Sequence, residues 1–354
     1  ADGHTLLVAC LDRAVFFDMR TRKRIREVPL PSERGGYDMY ISPDLSTIVR
    51  LRCTPDYKKF LVYNMDGKEE AKVVTLPKYS ARIAAFSADS QLLAIGTGNK
   101  AIQVWRTRDW TCLRVIENAH PGMPGAFTFT CDGQRLVTAR NSDNPGPVKV
   151  WRAPDWNLER EIIWKMADEG EDVLHEYSVD WPLASPTDPR LVAFADKDKG
   201  PIALWDIVED KLVFRLQDSQ DQPQPRLAFS GDGKLLLATT ARLGTWDAYR
   251  VSMWNTRTGQ QLLSFKSLPF QLEGFALSPS GFELTSGTSN GRRLDTYNFA
   301  GSLSPVSLDE VVVKGLASAR ASANAWSHFL SRGLYDPRLL LTISAFTGMS
   351  LGGD

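Results

Sequence analysis

Residues 104–110 read VWRTRDW, and residues 150–156 read VWRAPDW. Five of the seven letters agree, and the copies stand 46 residues apart, Trp105 to Trp151. A chain that repeats a phrase at a fixed distance repeats a structural unit. Fainter copies extend in both directions: AVFFD (14–18), FLVYN (60–64), IALWD (202–206), VSMWN (251–255) and LDTYN (294–298). The aromatic anchors are Phe17, Tyr63, Trp105, Trp151, Trp205, Trp254 and Tyr297, spaced by 46, 42, 46, 54, 49 and 43 residues.

A second phrase falls between the anchors: an apolar run, a turn, and another apolar run. It appears as YISPDLSTIVRL, AAFSADSQLLAIG, FTFTCDGQRLVTA, LAFSGDGKLLLAT and FALSPSGFELTSG, with WPLASPTDPRLVAFA (181–195) as a longer version. Asp, Gly, Pro and Ser at its centre are hairpin residues, and the flanking alternation has the two-residue period of a strand. Each period therefore holds about four short strands, and its mean of about 47 residues is near that of a four-stranded propeller blade. In period and pattern residues 1–299 resemble the WD-repeat family, although only Trp205-Asp206 reproduces the namesake dipeptide. The resemblance implies an all-β, seven-bladed β-propeller over residues 1–306. It also places Trp105 and Trp151 at the ends of third strands, filling the gap between stacked sheets. Trp110 and Trp156 then fall in the following turn and cover the blade edge, or serve a partner.

A propeller must bury its first blade against its last or leave raw strand edges. The opening ADGHTLLVAC is already the second half of the hairpin phrase, so the first repeat lacks its innermost strand. Three sources are open. Residues 338–346 include TISAF (342–346), which matches RIAAF (82–86) at Ile343, Ala345 and Phe346. Asp336 and Pro337 instead suit the start of a short helix there. The strand could also lie upstream, since a chain beginning with Ala reads as a piece of a larger polypeptide. Before that tail, residues 307–333 read as an amphipathic helical appendage. Ser307 and Glu310 have capping-box spacing, Leu308, Val312, Leu316, Ala319, Ala323, Trp326 and Leu330 form one stripe, and Gly333 stops it.

Composition bounds the function. The 354 residues are 43% hydrophobic and 24% charged, the balance of a globular protein. Basic and acidic side chains number 42 each, which speaks against nucleic acid as a main partner. No apolar run approaches the ~20 residues that span a bilayer. Cys10, Cys53, Cys112 and Cys131 form no C-x-x-C pair and read as reduced, structural thiols of an intracellular protein.

No H-E-x-x-H, G-x-S-x-G or phosphate-loop motif is present, and no catalytic, metal or cofactor residue is nominated. His120, Thr138, Asp143 and Trp151 follow the order and rough spacing of the buried His–Ser/Thr–Asp–Trp tetrad of WD-repeat proteins, a structural assignment implied by the resemblance. His175, Asp198 and Trp205 resemble a fragment of it. A central-channel metal would need several acidic or His side chains on inner strands; Asp38 and Asp180, with Arg82 nearby, are too few.

The surface loops carry the expected function. The resemblance implies that connections from second to third and from fourth to first strands share one face. On it fall the acidic stretch 165–176, with Asp168, Glu169 and Glu171, and the stretch 241–250, with Arg242, Trp246, Tyr249 and Arg250. Aromatics beside Arg are the residues of protein hot spots. The basic run RTRKRIR (20–26) lies at the opposite face and reads as a solvated hairpin. The expected function is a non-enzymatic protein–protein interaction scaffold or sensor platform, without cofactor. The rival readings are binding of phosphoinositide or nucleic acid through the basic run, and an enzyme with a channel metal.

Overall fold

The computed structural model describes residues 5–298, apart from 10–11, 19–20, 22, 31–37, 52–57, 141–145, 168–173, 177–178, 180–181, 197–201, 217–225, 242–248, 269–273, 278–282 and 288–293. The expected helix 307–333 and the tail 334–354 lie outside the described residues. All the elements described are strands.

Each repeat folds into one antiparallel sheet, with its strands in chain order across the sheet. Repeats two to six have four strands each. They are Met39–Ile41, Thr47–Arg50, Lys59–Asn64 and Lys72–Thr75; Ala81–Phe86, Leu92–Thr97, Ile102–Arg106 and Thr111–Ile116; Pro124–Phe129, Arg135–Arg140, Val148–Arg152 and Asn157–Ile162; Leu183–Ala184, Leu191–Ala195, Ile202–Asp206 and Lys211–Leu216; and Arg226–Phe229, Leu235–Ala241, Tyr249–Asn255 and Gln261–Leu268. Repeat one has Thr5–Ala9, Arg13–Asp18 and Lys23–Pro29; repeat seven has Gly274–Leu277, Glu283–Gly287 and Leu294–Asn298.

The first strands of successive sheets lie beside one another, so they line the inner side of a β-propeller. Repeats two to seven have such a strand, which makes six blades among the described residues, not the seven expected. The anchor Phe17 misleads because an aromatic marks only a third strand. Among the described residues the sheet of repeat one begins at what is elsewhere the second strand, and it stacks on repeat two.

The anchors of repeats two to six face the preceding repeat. Tyr63 packs with Leu6, Leu7 and Phe16 of repeat one. Trp105 packs with Val49, Leu51 and Phe60 of repeat two, and Trp151 with Ala94, Ile102 and Val104 of repeat three. Trp205 reaches Val137, Val148 and Val150 of repeat four, and Trp254 reaches Ala193, Ile202 and Leu204 of repeat five. In five repeats the pairing of third and fourth strands slips by one residue at the anchor, between Phe16/Phe17, Val104/Trp105, Val150/Trp151, Leu204/Trp205 and Met253/Trp254. Such a bulge bends the strand and re-aims its side chain. The seam is tight: a Cβ on Gly96 would lie 2.6 Å from the Phe127 ring of repeat four.

The doubled phrase now has a local cause. Five residues past the anchors, Trp110, Trp156 and Asp210 have φ of 60°, 55° and 55°, and Gly259 has 70°. This left-handed residue closes the turn into the fourth strand. Glycine adopts it freely, whereas a tryptophan there costs roughly 1–2 kcal/mol. Burial of the ring opposes that cost. Trp156 is 3% exposed and meets the Phe129 ring edge-on at 5.8 Å; Trp110 is half-buried and meets Phe60 at 5.8 Å. Trp156 is therefore core and unavailable to a partner.

The turns between first and second strands share one design. Ser42, Ser87, Thr130 and Ser230 donate to Asp44, Asp89, Asp132 and Asp232 at 2.5–2.7 Å. Each hydroxyl also accepts the amide N–H five residues on, from Thr47, Leu92, Arg135 and Leu235 at 2.9–3.0 Å. All four hydroxyl-bearing residues are buried, so they satisfy backbone groups that would otherwise stand unpaired.

Candidate functional site

The most ordered polar constellation lies in repeat four. His120 precedes the inner strand Pro124–Phe129, Thr138 sits on the second strand and Trp151 ends the third. His120 Nε2 and Thr138 Oγ1 are 2.8 Å apart, and Trp151 Nε1 donates to the same hydroxyl at 2.9 Å. His120 is 1% exposed. Asp143, the fourth expected member, lies outside the described residues. Burial pushes the His120 pKa down to about 3, and the nearby Lys149 and Arg140 charges act in the same direction. The imidazole is therefore neutral at physiological pH, and its Nε2 contact ties the segment before the inner strand to the second strand.

This neutrality makes stability depend on pH. The unfolded histidine takes up a proton below its ordinary value of about 6.5, while the folded one resists down to about 3. The unfolded state thus binds more protons between those values, and stability falls as pH falls through that window. The expected slope approaches ~1.4 kcal/mol per pH unit, or about 2 kcal/mol between pH 7 and pH 5. Urea unfolding at pH 7, 6 and 5 checks this against His120→Gln, which should be less stable at pH 7 but flatter. Parallel slopes for the two proteins would refute it.

Other indoles use other acceptors, which sequence reasoning missed. Trp105 Nε1 donates to Gln103 Oε1 at 3.2 Å, and Gln103 Nε2 donates to the Lys78 carbonyl at 2.7 Å. The one signal was a Gln inside the apolar run IQVWR. Trp205 Nε1 donates to Asp210 Oδ1 at 3.2 Å. Asp198 lies outside the described residues, and His175 is on strand Leu174–Glu176.

The structure places the remaining nominated residues as follows. Tyr249 and Arg250 open the third strand of repeat six, opposite Ala241 and Thr240, at the base of the 242–248 connection. Arg242 and Trp246 in that connection lie outside the described residues. The stretch 165–176 is more than a loop: Lys165–Ala167 pairs antiparallel with Leu174–Glu176. Asp168, Glu169 and Glu171 fall between those strands, outside the described residues, as does Asp180. Asp38 immediately precedes the inner strand of repeat two, and Arg82 is exposed on that of repeat three. Among the described residues no three His, Cys, Asp or Glu side chains converge as a metal site.

Much of the described part of the basic run is engaged internally. Arg24 pairs with Glu27. Arg26 lies over the Phe16 ring at 3.8 Å and donates to the Met65 carbonyl. It thereby spans a cleft of about 630 Å³ between repeats one and two, lined also by Ile25, Asp44 and Asp66.

Carboxylates with displaced acidity are likewise bound within the fold. Burial works to raise Asp44, Glu159, Asp206 and Asp232, but hydrogen bonds, joined by facing cations at the last three, hold all four below the ordinary carboxylate range. Arg135 and Arg152 close on Glu159 at 2.8 and 3.2 Å, and Arg190 donates to Asp206 at 2.7 Å.

No family model matches the chain. Over 204 residues it is 23% identical to the Periodic tryptophan protein 2 homolog of Dictyostelium discoideum, covering 57% of this chain and 20% of that protein. Over 217 residues it is 27% identical to Protein HIR1 of Mycosarcoma maydis, covering 58% and 20%. The chain thus spans about a fifth of the length of these relatives. Among solved structures, Kuenenia stuttgartiensis Hydrazine Synthase superposes with a TM-score of 0.62 at 14% identity, covering 80% of this chain and 83% of that one. At that identity the likeness is one of fold alone.

Proposed function

We propose that this chain, a WD-repeat β-propeller by its repeat and its sheets, serves as a non-enzymatic platform for binding other proteins. The observation that carries this reading is where its reactive-looking groups go. Asp44, Glu159, Asp206 and Asp232 are bound to turns or neighbouring cations, and His120 Nε2 is bound to Thr138. Among the described residues what is left to act is surface held on a rigid frame, and loops on such frames are where recognition is carried.

The proposed contact face is the one bearing second-to-third and fourth-to-first connections, the connections that carry Arg242, Trp246, Tyr249 and Arg250 and, separately, Asp168, Glu169 and Glu171. Tyr249 and Arg250 belong to a paired strand, which supports a rigid base for that loop. An intracellular setting belongs to the same reading, since Cys112 and Cys131 are free thiols whose burial raises them out of the reactive range.

The test is affinity capture with the full chain, comparing wild type with Trp246→Ala/Tyr249→Ala at matched melting temperature. The double variant should lose a reproducible subset of partners, and an identical partner list would remove this face. Charge reversal at Arg20, Arg22, Lys23 and Arg24 should leave the partner list, and any binding to anionic vesicles or RNA, unchanged. A large salt-sensitive loss there would favour the polyanion reading. A stoichiometric metal in the purified protein would favour an enzyme.

A further inference from the structure

The turn between third and fourth strands closes its seam differently in repeat two. In repeats three and four the left-handed turn residue is Trp110 or Trp156, and each ring packs into the cluster shared with the preceding repeat. In repeat five it is Asp210, ion-paired with Arg160 of repeat four at 3.6 Å. In repeat six it is Gly259, and the Phe214 ring of repeat five fills the space: a Cβ on Gly259 would lie 2.6 Å from that ring. Repeat two has Gly67 in this connection, with φ of 72°, and a Cβ there would meet only Val28, at 3.8 Å. On the facing strand Arg26 takes the place of Phe214, since it stands opposite Phe16 as Phe214 stands opposite Leu204. The seam of repeats one and two thus lacks both rings, and it holds the open cleft of about 630 Å³.

The walls of this cleft combine two chemistries. Phe16, Met65 and Ile25 are apolar, and Ile25 is 54% exposed. Its exposure follows from the bulge: Arg26 pairs with Phe16 and Arg24 with Phe17, so Ile25 is the extra residue between them. Across from these stand Asp44, in the turn between first and second strands of repeat two, and Asp66, in the turn between its third and fourth. Ser42 and Ser46 hold Asp44, and Asp66 accepts the Lys68 amide N–H; among the described residues no ion pair reaches either carboxylate. The cation of the cleft, Arg26, is already engaged by the Phe16 ring and the Met65 carbonyl. One cation against two carboxylates leaves the cleft attractive to positive charge. The geometry points to a docking site for a short extended segment of a partner protein that sets a Lys or Arg beside a bulky apolar residue. The cation reaches Asp44 and Asp66, and the apolar side chain lies on Ile25 and Phe16. An apolar anchor with complementary charge at its rim is the usual economy of a small contact, and the volume falls within the about 300–1,000 Å³ of ligand sites. The platform reading thereby gains a second surface. It lies at the end of the sheets opposite the 241–250 connection, because strands alternate in direction across each sheet.

The test is an array of octapeptides, varied over Leu, Phe, Ser, Arg, Lys, Asp and Glu at their central positions and probed with the purified full chain. Peptides that join a basic and a bulky apolar residue should bind best, and the strongest are then titrated in solution. Ile25→Ser and Asp66→Asn should each weaken them about tenfold or more. Ile163→Ser, at an isoleucine equally exposed at 54% just past the strand Asn157–Ile162, should not. A second readout needs no variant: in methyl NMR of the full chain, the Ile25 and Met65 methyl signals should shift on titration while that of Ile163 stays in place. Selection of acidic peptides would make Arg26 the reading group and overturn the proposal. So would the absence of any binder, equal weakening by Ile25→Ser and Ile163→Ser, or shifts that bypass Ile25 and Met65. None of these outcomes bears on the capture experiment at Trp246 and Tyr249, so the two surfaces fall separately.

Discussion

Replacing Trp105 with Ala should destabilise the protein by about 3–5 kcal/mol, the usual cost of emptying a buried aromatic site. The ring is 3% exposed and wedged between two sheets. It meets Phe60 of the preceding repeat edge-on, with centroids 5.4 Å apart and planes at 85°. Its loss opens a cavity that neither sheet can fill, since both are held by their own hydrogen-bond ladders. It also strips Gln103 Oε1 of its donor. A domain is typically stable by about 5–15 kcal/mol, so this one change removes a large share. Urea denaturation measures it, and a double-mutant cycle with Phe60→Ala should show a coupling of about 0.5–1.5 kcal/mol from the ring pair. Trp110→Ala is the internal comparison: that ring is half-buried and should cost clearly less. If Trp105→Ala stays within 1 kcal/mol of wild type, the wedge account is wrong.

Thr138→Val should cost about 2–5 kcal/mol although the side chains have nearly the same shape, because two buried nitrogens lose their partner at roughly 1–3 kcal/mol each. His120 Nε2 and Trp151 Nε1 converge on the one hydroxyl, at 2.8 and 2.9 Å, and valine offers neither of them anything. Thr138→Ser keeps the oxygen and loses one methyl group, worth about 0.8 kcal/mol. The two variants therefore separate hydrogen bonding from packing. The Trp151 indole proton resonance gives a local readout: it should move strongly in the valine protein and little in the serine protein. Equal stabilities for the two variants would show that the hydroxyl carries no weight.

The parts of this molecule that were legible in the sequence are those written in repeated, local chemistry. Apolar alternation ending in an aromatic marks a third strand in every repeat, because a wedge between sheets must be large and flat. The turn phrases were legible for the same reason. Their inner wiring was not: Ser87 and Asp89 both read simply as turn formers, and only the fold shows one closing on the other. The acceptors Gln103 and Asp210 were hidden because an indole can be satisfied from two residues before it or five after it. The blade count misled because Phe17 has the anchor pattern while no strand on the axial side of its sheet is found among the described residues. The pairing of Lys165–Ala167 with Leu174–Glu176 was obscured by acidic residues that break the alternation.

The anchors also have a direction. From Tyr63 to Trp254 each one turns toward the unit before it, so each of these units carries a key at its front and offers a lock at its back. A newly duplicated unit inserted downstream arrives with its own key, already cut for the lock of the unit it was copied from. Lengthening such an array is therefore a single event rather than two coordinated ones. The near-identical phrases at Trp105 and Trp151 have the form that such a duplication would leave.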